Sequence, residues 1–550
     1  MKWYVADFET TDETFYEAFG YTKVWLWSIC DENAEVVADG DSIETFMEQI
    51  RHMPHATIYF HNLKFDGSFI IDYLLSQDIP HTTDIKNKCP AFSTLIDDMG
   101  AWYKLVYRWS KSQQVTILDS LKLLPFKVEK IAKDFELPIQ KEKIDYSVYE
   151  INETTLSYIH NDVRVVAMAL AHLREEGLTK LTIASCAYHN YSCKIDRTEM
   201  EFNFPDLGLD FLNEWRRAYR GGRCQVNPLH QGKLLSHVKR YDINSMYPAI
   251  MYSCPLPYGH PIECKERGHY RFELYHVKIA FYLLEGHMPT LLKKGSRLGL
   301  DTYYVNTDDV EEIWLTSIDM ELLERHYHIY YLEYVQILGF HTSKLLFSYY
   351  VSRWYKRKQT DKGAKKVIDK LMLNSLYGKF GSNPLRSNKL PFYNPISEMV
   401  EFTLSEEEEA RHYYLPVAMA ITSYGHLWID DAIQATGYEN FAYCDTDSVH
   451  TLAELPPEMI HNTKLGKFKL EATEKIAKYL RQKSYMTYED NAFHITCAGM
   501  PDKSKQLFLE TYKGKEFDSF KDGMSIGGKL LPKRVKGGTI LHETNFTIKT

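Results

Sequence analysis

The 550-residue sequence has no Cys-x-x-Cys pair and an odd count of nine cysteines. That argues against a paired-cysteine zinc site and against a disulfide framework. Free thiols in a reducing cytosol fit it instead. No apolar run approaches the length of a membrane span. The N-terminus, MKWYVADFETT, enters a strand-like pattern at once, without a signal-peptide pattern. The expectation is a soluble protein of the cytoplasm with no membrane partner. Internal repeats and low-complexity linkers are absent. Excess basic charge is also lacking, since the formal net charge is -9. This does not exclude nucleic acid, because phosphate binding depends on local patches. Two such patches exist: SRWYKRKQTDKGAKK (352–366) and GGKLLPKRVKGG (527–538). Either could equally be a solvated charged face.

What is present points to several domains. A chain of 550 residues is too long for one core, and two to four domains are expected. Hydrophobic content of 44% and charged content of 25% are those of a globular protein. The 40 tyrosines offer stacking faces and hydroxyls, useful against bases and equally useful in cores. Residues 1–180 alternate strands (KWYVADFE, ATIYFHN) with helices (SIETFMEQIRHM, ETTLSYIHNDVRVVAMALAHLREEG), an α/β pattern. From about 183 the pattern changes to strand-turn segments. Residues 258–345 read as short strands rich in Tyr and His. A basic helical stretch runs to about 380. KLPFYNPISEMVEFTLS reads as a hairpin turning at Asn394–Pro395, and Glu406–Glu409 as a solvated loop.

FAYCDTDSVH (441–450) sets Asp445 and Asp447 in a run that otherwise reads as a buried strand, where Asp is depleted. On a strand, residues i and i+2 share a face. Two carboxylates about 4 Å apart repel by roughly 4 kcal/mol at an effective dielectric near 20. A divalent cation between them is one reason to accept that repulsion. A turn is the other reading, since Asp, Thr and Ser are turn formers. A calcium loop does not fit, because Val449 and His450 stand where that motif wants a polar ligand and a glycine.

Other acids repeat the device. DFE puts Asp7 and Glu9 on one strand face, HNLKFDGSF (61–69) supplies Asn62 and Asp66, and YIHND (158–162) puts Tyr158 and Asp162 on one helix face. Asp7, Glu9, Asp66 and Asp162 can converge on two metals, a set suited to phosphodiester hydrolysis. A second set follows. YDINSMYP (241–248) ends a strand at Asp242, and Lys366, Lys370, Asn374 and Tyr377 form one helical stripe. Cations followed by a flat ring suit a nucleoside triphosphate. Asp242 and Asp447, with Asp445 beside them, can hold two magnesium ions that activate a 3′ hydroxyl and neutralise pyrophosphate.

DFET, HNLKFDGSF and YIHND resemble the three exonuclease motifs of family B DNA polymerases. DINSMYP, KLMLNSLYG and YCDTDS resemble their polymerase motifs, in the same order, and AYRGG (218–222) and KSY (483–485) are further marks. With room for two insertions, the chain looks like the protein-primed branch of that family, of the small Bacillus phage type. The resemblance implies an α/β and α+β multidomain fold. Residues 1–182 would be a ribonuclease-H-like 3′–5′ exonuclease domain. A right-hand polymerase would follow: palm 183–253 and 410–497, fingers 346–384 and thumb 498–550. Insertion 254–345 would dock a terminal protein, and insertion 385–409 would serve processivity and strand displacement.

The resemblance also implies residue roles. Asp7, Glu9, Asp66 and Asp162 would bind metal. Tyr158 would orient water, Lys141 would assist at the scissile phosphate, and Asn62, Phe65, Ser120 and Leu121 would hold the frayed strand. Asp242 and Asp447 would be polymerase metal ligands. Tyr247 would exclude ribonucleotides. Lys358, Lys366 and Lys370 would meet the triphosphate, Asn374 would lie beside them, and Tyr377 would meet the nascent pair. Tyr219, Arg220, Gly221, Gly222, Lys379, Lys483 and Tyr485 would grip DNA. Two Mg2+ ions per site, with Mn2+ substituting, deoxynucleoside triphosphates, primer–template DNA, a terminal protein and a single-stranded-DNA-binding protein are the implied partners of a monomeric enzyme. Met246 and Gly381 depart from the family's usual Leu and Ala. The alternatives are the polymerase of a protein-primed linear plasmid, or a nuclease whose second half only binds DNA. A non-catalytic replication scaffold and a reverse transcriptase fit the intact acids and Tyr247 less well.

Overall fold

The computed structural model describes residues 2–139, 148–293 and 303–549. Its first part is a mixed seven-stranded sheet. In spatial order the strands are Val36–Gly40, Val24–Asp31, Trp3–Thr10, Thr57–Phe60, Gln113–Asp119, Trp102–Ser110 and Ala91–Ile96. Trp3–Thr10 pairs antiparallel with Val24–Asp31 and parallel with Thr57–Phe60. Val24–Asp31 is buried on both faces along all but its last residue, as an apolar run covered on two sides should be. Alternation divides Trp3–Thr10. Ala6 and Phe8 pack with Phe46 and Phe60 under the helices Ile43–Arg51 and Leu63–Ser76. Val5 packs with Val163 and Val166 of the helix Glu153–Glu175. Asn152 and Thr155 start that helix as a reciprocal cap.

The second large sheet is antiparallel throughout, in the order Ala492–Cys497, Ser484–Glu489, Phe468–Arg481, Leu234–Ile243, Ser448–Thr451, Phe441–Asp445, Cys224–Val226. The long buried helix Leu415–Thr436 backs it. The basic stretch forms two helices that pack on each other, Ser348–Thr360 and Gly363–Phe380.

Residues 258–345 differ from the expectation of short strands. They hold strands of 12 and 17 residues, Phe272–Leu283 and Tyr327–Ser343, in a four-stranded sheet with Leu256–Glu263 and Glu311–Thr316. One face of the longest strand is open to solvent for much of its length, so polar and aromatic residues interrupt the sequence pattern without ending the strand.

The hairpin at 389–404 forms as expected, Lys389–Asn394 with Met399–Leu404. Asn394 Oδ1 accepts from the Ile396 N–H at 2.9 Å and sets its turn. Glu408–Glu409 is not loop but a two-residue strand on Leu385–Arg386, still exposed. A final hairpin, Ser525–Val535 with Gly538–Thr547, reaches back to both earlier parts. Lys536 O accepts from Thr22 N at 2.9 Å, Lys536 Nζ meets Glu398 at 2.8 Å, and the Arg534 guanidinium lies 4.5 Å over Phe402. Gly537 has φ +90°, and a Cβ there would sit 2.1 Å from Thr22 O. Gly537→Ala should therefore undock this tip at a local cost of about 1–3 kcal/mol. Limited proteolysis would show faster cleavage within 525–547; an unchanged pattern would contradict the docking.

Candidate active sites

Alternation along Trp3–Thr10 turns Asp7 and Glu9 to the side of Val5, into a cavity of about 290 Å³. Asn62, Phe65, Asp66, Tyr158 and Asp162 line the same cavity. Asp66 lies in the first turn of Leu63–Ser76, where the helix dipole favours negative charge. Tyr158 and Asp162, one turn apart, enter from Glu153–Glu175, both buried. Burial, and then the charges of Asp7 and Glu9, push the Asp66 carboxyl well above the usual carboxylate range.

The sequence reading missed what holds this corner. Asp119 ends its strand, and its Oδ1 accepts from the N–H groups of Asn62, Leu63 and Leu121 at 3.0, 3.3 and 3.0 Å. It fastens Asn62 in the left-handed region, at φ +75°. The signal was an Asp directly after an apolar strand, Val115–Leu118, followed by Ser.

Ser120 is a correction. It is fully buried, donating to Phe60 O at 3.0 Å and lying 2.9 Å from the His61 Nδ1 of the cavity lining, so its hydroxyl stands behind His61. Leu121 is half-buried and outside the cavity lining. Lys141 lies outside the described residues.

The second site sits where the strands Leu234–Ile243, Phe441–Asp445 and Ser448–Thr451 meet. Register places Asp242 opposite Ser448 and Lys469. Here the strand reading of DTDS is corrected. Asp445 and Asp447 flank a tight turn, closed by the Asp447 N–H donating to Asp445 O at 2.7 Å over Thr446 at φ +59°. This three-residue turn is rare and strained, more so with a β-branched centre. Thr446 therefore does not hold strand register; it turns the chain.

The acids still crowd one another. Burial, then Asp447, raises the Asp242 carboxyl to about 7, against relief from Lys370 and Lys358. Burial, then Asp445, raises Asp447 as well. Asp445 is gripped by Lys483 Nζ at 2.9 and 2.8 Å.

The helical stripe is where spacing put it. Lys366, Lys370 and Asn374 are exposed along Gly363–Phe380, and Tyr377 is half-buried with its ring 4.3 Å from that of Tyr247. Lys358 donates to Ser245 Oγ at 2.8 Å, its ammonium destabilised by burial and then by Lys370. Lys379 lies 5.0 Å over the Tyr413 ring. Tyr485 packs with Tyr443, Tyr479 and His450 behind the turn. A Cβ at Gly381 would stand 2.6 Å from the Tyr219 hydroxyl, so this departure from Ala makes room for Tyr219. Gly222 likewise lies against Thr446, and Gly221 O accepts from His426 Nε2 at 2.6 Å.

Arg220 is a second correction. Its guanidinium is buried and paired with Asp319 at 3.2 Å, so here its side chain is turned into the fold. Sequence could not show this, because Asp319 lies 99 positions away.

Carboxylates crowded in this way are the hard oxygen donors that divalent cations take. Among the described residues, however, no three His, Cys, Asp or Glu side chains already close into a metal-holding group. No helix among them is long and apolar enough to cross a membrane.

Two acid clusters on two sheets, one faced by a cationic stripe, define a nucleotide-handling protein of polymerase type, and the chain belongs to the type B DNA polymerases. Residues 49–149 and 147–465 match the family model of DNA polymerase type B, organellar and viral. The chain is 36% identical to the DNA polymerase of Bacillus phage phi29, over 100% of its own length and 99% of the relative's. It is 33% identical to that of Streptococcus phage Cp-1, over 100% and 98%. The solved structure of phi29 DNA polymerase complexed with primer-template DNA matches with a TM-score of 0.91 at 34% identity, covering 100% of both chains. The ternary complex of that enzyme with primer-template DNA and incoming nucleotide matches at 0.90 and 35% identity, again over 100% of both.

The Asp242 shift has a consequence for stability. Its proton is held more tightly folded than unfolded, so that stability is full below about pH 4 and is lost as pH rises through about 7. In chelating buffer, Asp242→Asn should gain melting temperature over the unmodified chain between about pH 5 and about pH 8. A difference independent of pH would contradict the shift.

Proposed function

We propose that this chain is a DNA-directed DNA polymerase with a 3′–5′ proofreading exonuclease, acting in protein-primed, processive, strand-displacing replication of a linear viral genome. The observation that carries the reading is the separation of two carboxylate clusters onto two sheets, with lysines and a tyrosine pair facing the second. In domain terms, 1–182 would be the ribonuclease-H-like exonuclease domain, 183–253 and 410–497 the palm, 346–384 the fingers and 498–550 the thumb. The phi29 complexes with primer-template DNA and incoming nucleotide support the same substrates here.

Asp7, Glu9, Asp66 and Asp162 would hold divalent cations at the first site, and Asp242 and Asp447 at the second, with Mg2+ serving and Mn2+ substituting. When bound, such cations supply Lewis acidity at a scissile or transferring phosphate. The residues supply the rest. Tyr158 stands on the helix face beside Asp162, placed to orient an attacking water. Phe65 and Asn62 offer a ring and an amide to an unpaired 3′ end. At the second site, Lys358, Lys366 and Lys370 set positive charge where a triphosphate would lie. Tyr247 and Tyr377 present a hydroxyl-bearing wall to sugar and base, which disfavours a 2′ hydroxyl. Lys483 holds Asp445 to one side of the pair. Insertion 254–345 would receive the terminal protein. The hairpin 389–404, bridged to the C-terminal hairpin, would close around the template and part the downstream strand.

Two substitutions in one assay test the division of labour. Asp447→Ala should abolish primer extension and leave 3′–5′ degradation within about twofold, because the two clusters sit on separate sheets and share no residue. Asp7→Ala with Asp66→Ala should do the reverse. Equal loss of both activities in either variant would overturn the two-site reading. Deleting 385–409 should spare extension on open template and abolish displacement of a downstream strand; unchanged displacement would refute that role.

A further inference from the structure

The strained Thr446 turn needs neighbours that over-determine it. Two come from one short segment. Arg223 O accepts from the Thr446 N–H at 2.7 Å. Gly222 lies so close that a Cβ on it would stand 2.7 Å from Thr446 Oγ1. Gly222 and the backbone of Arg223 are thus the seat on which the turn rests.

That seat is clamped at both ends. On one side, Arg220 bonds to Asp319 Oδ2 and to the carbonyls of Leu292 and Trp314, at 3.2, 3.1 and 3.2 Å. On the other, Arg223 bonds to Asp430 Oδ1 at 3.1 Å and to Gln225 Oε1 at 2.8 Å. Asp430 also meets His326 Nε2 at 2.9 Å, and His426 holds Gly221 O from below. All four charged groups of the two pairs are no more than 6% exposed. Buried pairs of this kind are poor stabilisers, and a specific geometry is the better reason to keep them.

We propose that Arg220 and Arg223, clamped by Asp319 and Asp430, are positioning residues for primer extension. They fix Gly221–Gly222 so that Thr446 is held in the left-handed region and Asp445 and Asp447 keep their aim. This rests on the polymerase reading of the second site. It gives Arg220 a task other than the DNA contact its motif suggested.

The experiment measures extension kcat, nucleotide KM and 3′–5′ degradation for the full chain and its variants. Arg223→Lys keeps the charge and loses the fork; Asp430→Asn removes the counter-charge. Each should lower extension kcat about 10- to 100-fold, the scale of a small misplacement. Nucleotide KM should stay within about threefold and degradation within about twofold, since the first cluster sits on the other large sheet and does not share the clamp. Adding Thr446→Asn should restore most of the lost rate, because Asn takes positive φ with less strain. Undiminished extension in both variants would overturn the inference. So would loss of degradation alongside extension in both, or no recovery with Thr446→Asn. No extension by the unmodified chain would overturn the polymerase reading, and this inference with it.

Discussion

Asp242 and Asp447 repel each other across the junction of three strands, in a cleft where burial already disfavours their charge. Neither can be moved without breaking the register that sets Asp242 opposite Ser448. The surroundings answer that repulsion. Lys370 and Lys358 approach from two helices, and Lys483 draws Asp445 aside. The ladder, the turn at Thr446 and the helices above it can be understood as support for a charge cluster that the chain alone does not neutralise.

The first cluster meets the same problem with different neighbours. Asp66 shares its cavity with Asp7 and Glu9, and among the described residues the lining around them includes Phe65, Tyr158, Val163 and Val166. At the second cluster, a cleft of acids beside cations suits a triphosphate that has to be held.

Much of this was legible in the sequence where the geometry is local. Period two placed Asp7 and Glu9 together, a spacing of four placed Tyr158 with Asp162, and the stripe from Lys366 to Tyr377 followed the helix. The failures were non-local or conformational. Phe441–Cys444 is strand, so DTDS read as its continuation. The positive φ of Thr446 is imposed from outside by Arg223 and Gly222. Arg220 lay in a motif that suggests DNA, but its partner Asp319 comes from the helix Ser317–His326, 99 positions along the chain. The resemblance set Ser120 against a frayed strand, and no residue pattern shows the contacts with Phe60 and His61 that bury it. Asp119 was missed because backbone N–H groups, which no residue pattern reveals, are what it binds.

The most direct measurement is a labelled hairpin primer–template incubated with Mg2+, with and without the four deoxynucleotides, and resolved on a denaturing gel. A proofreading polymerase gives shortening without nucleotides and full-length product with them. Shortening under both conditions would contradict that reading, leaving a nuclease whose second carboxylate cluster does no synthesis.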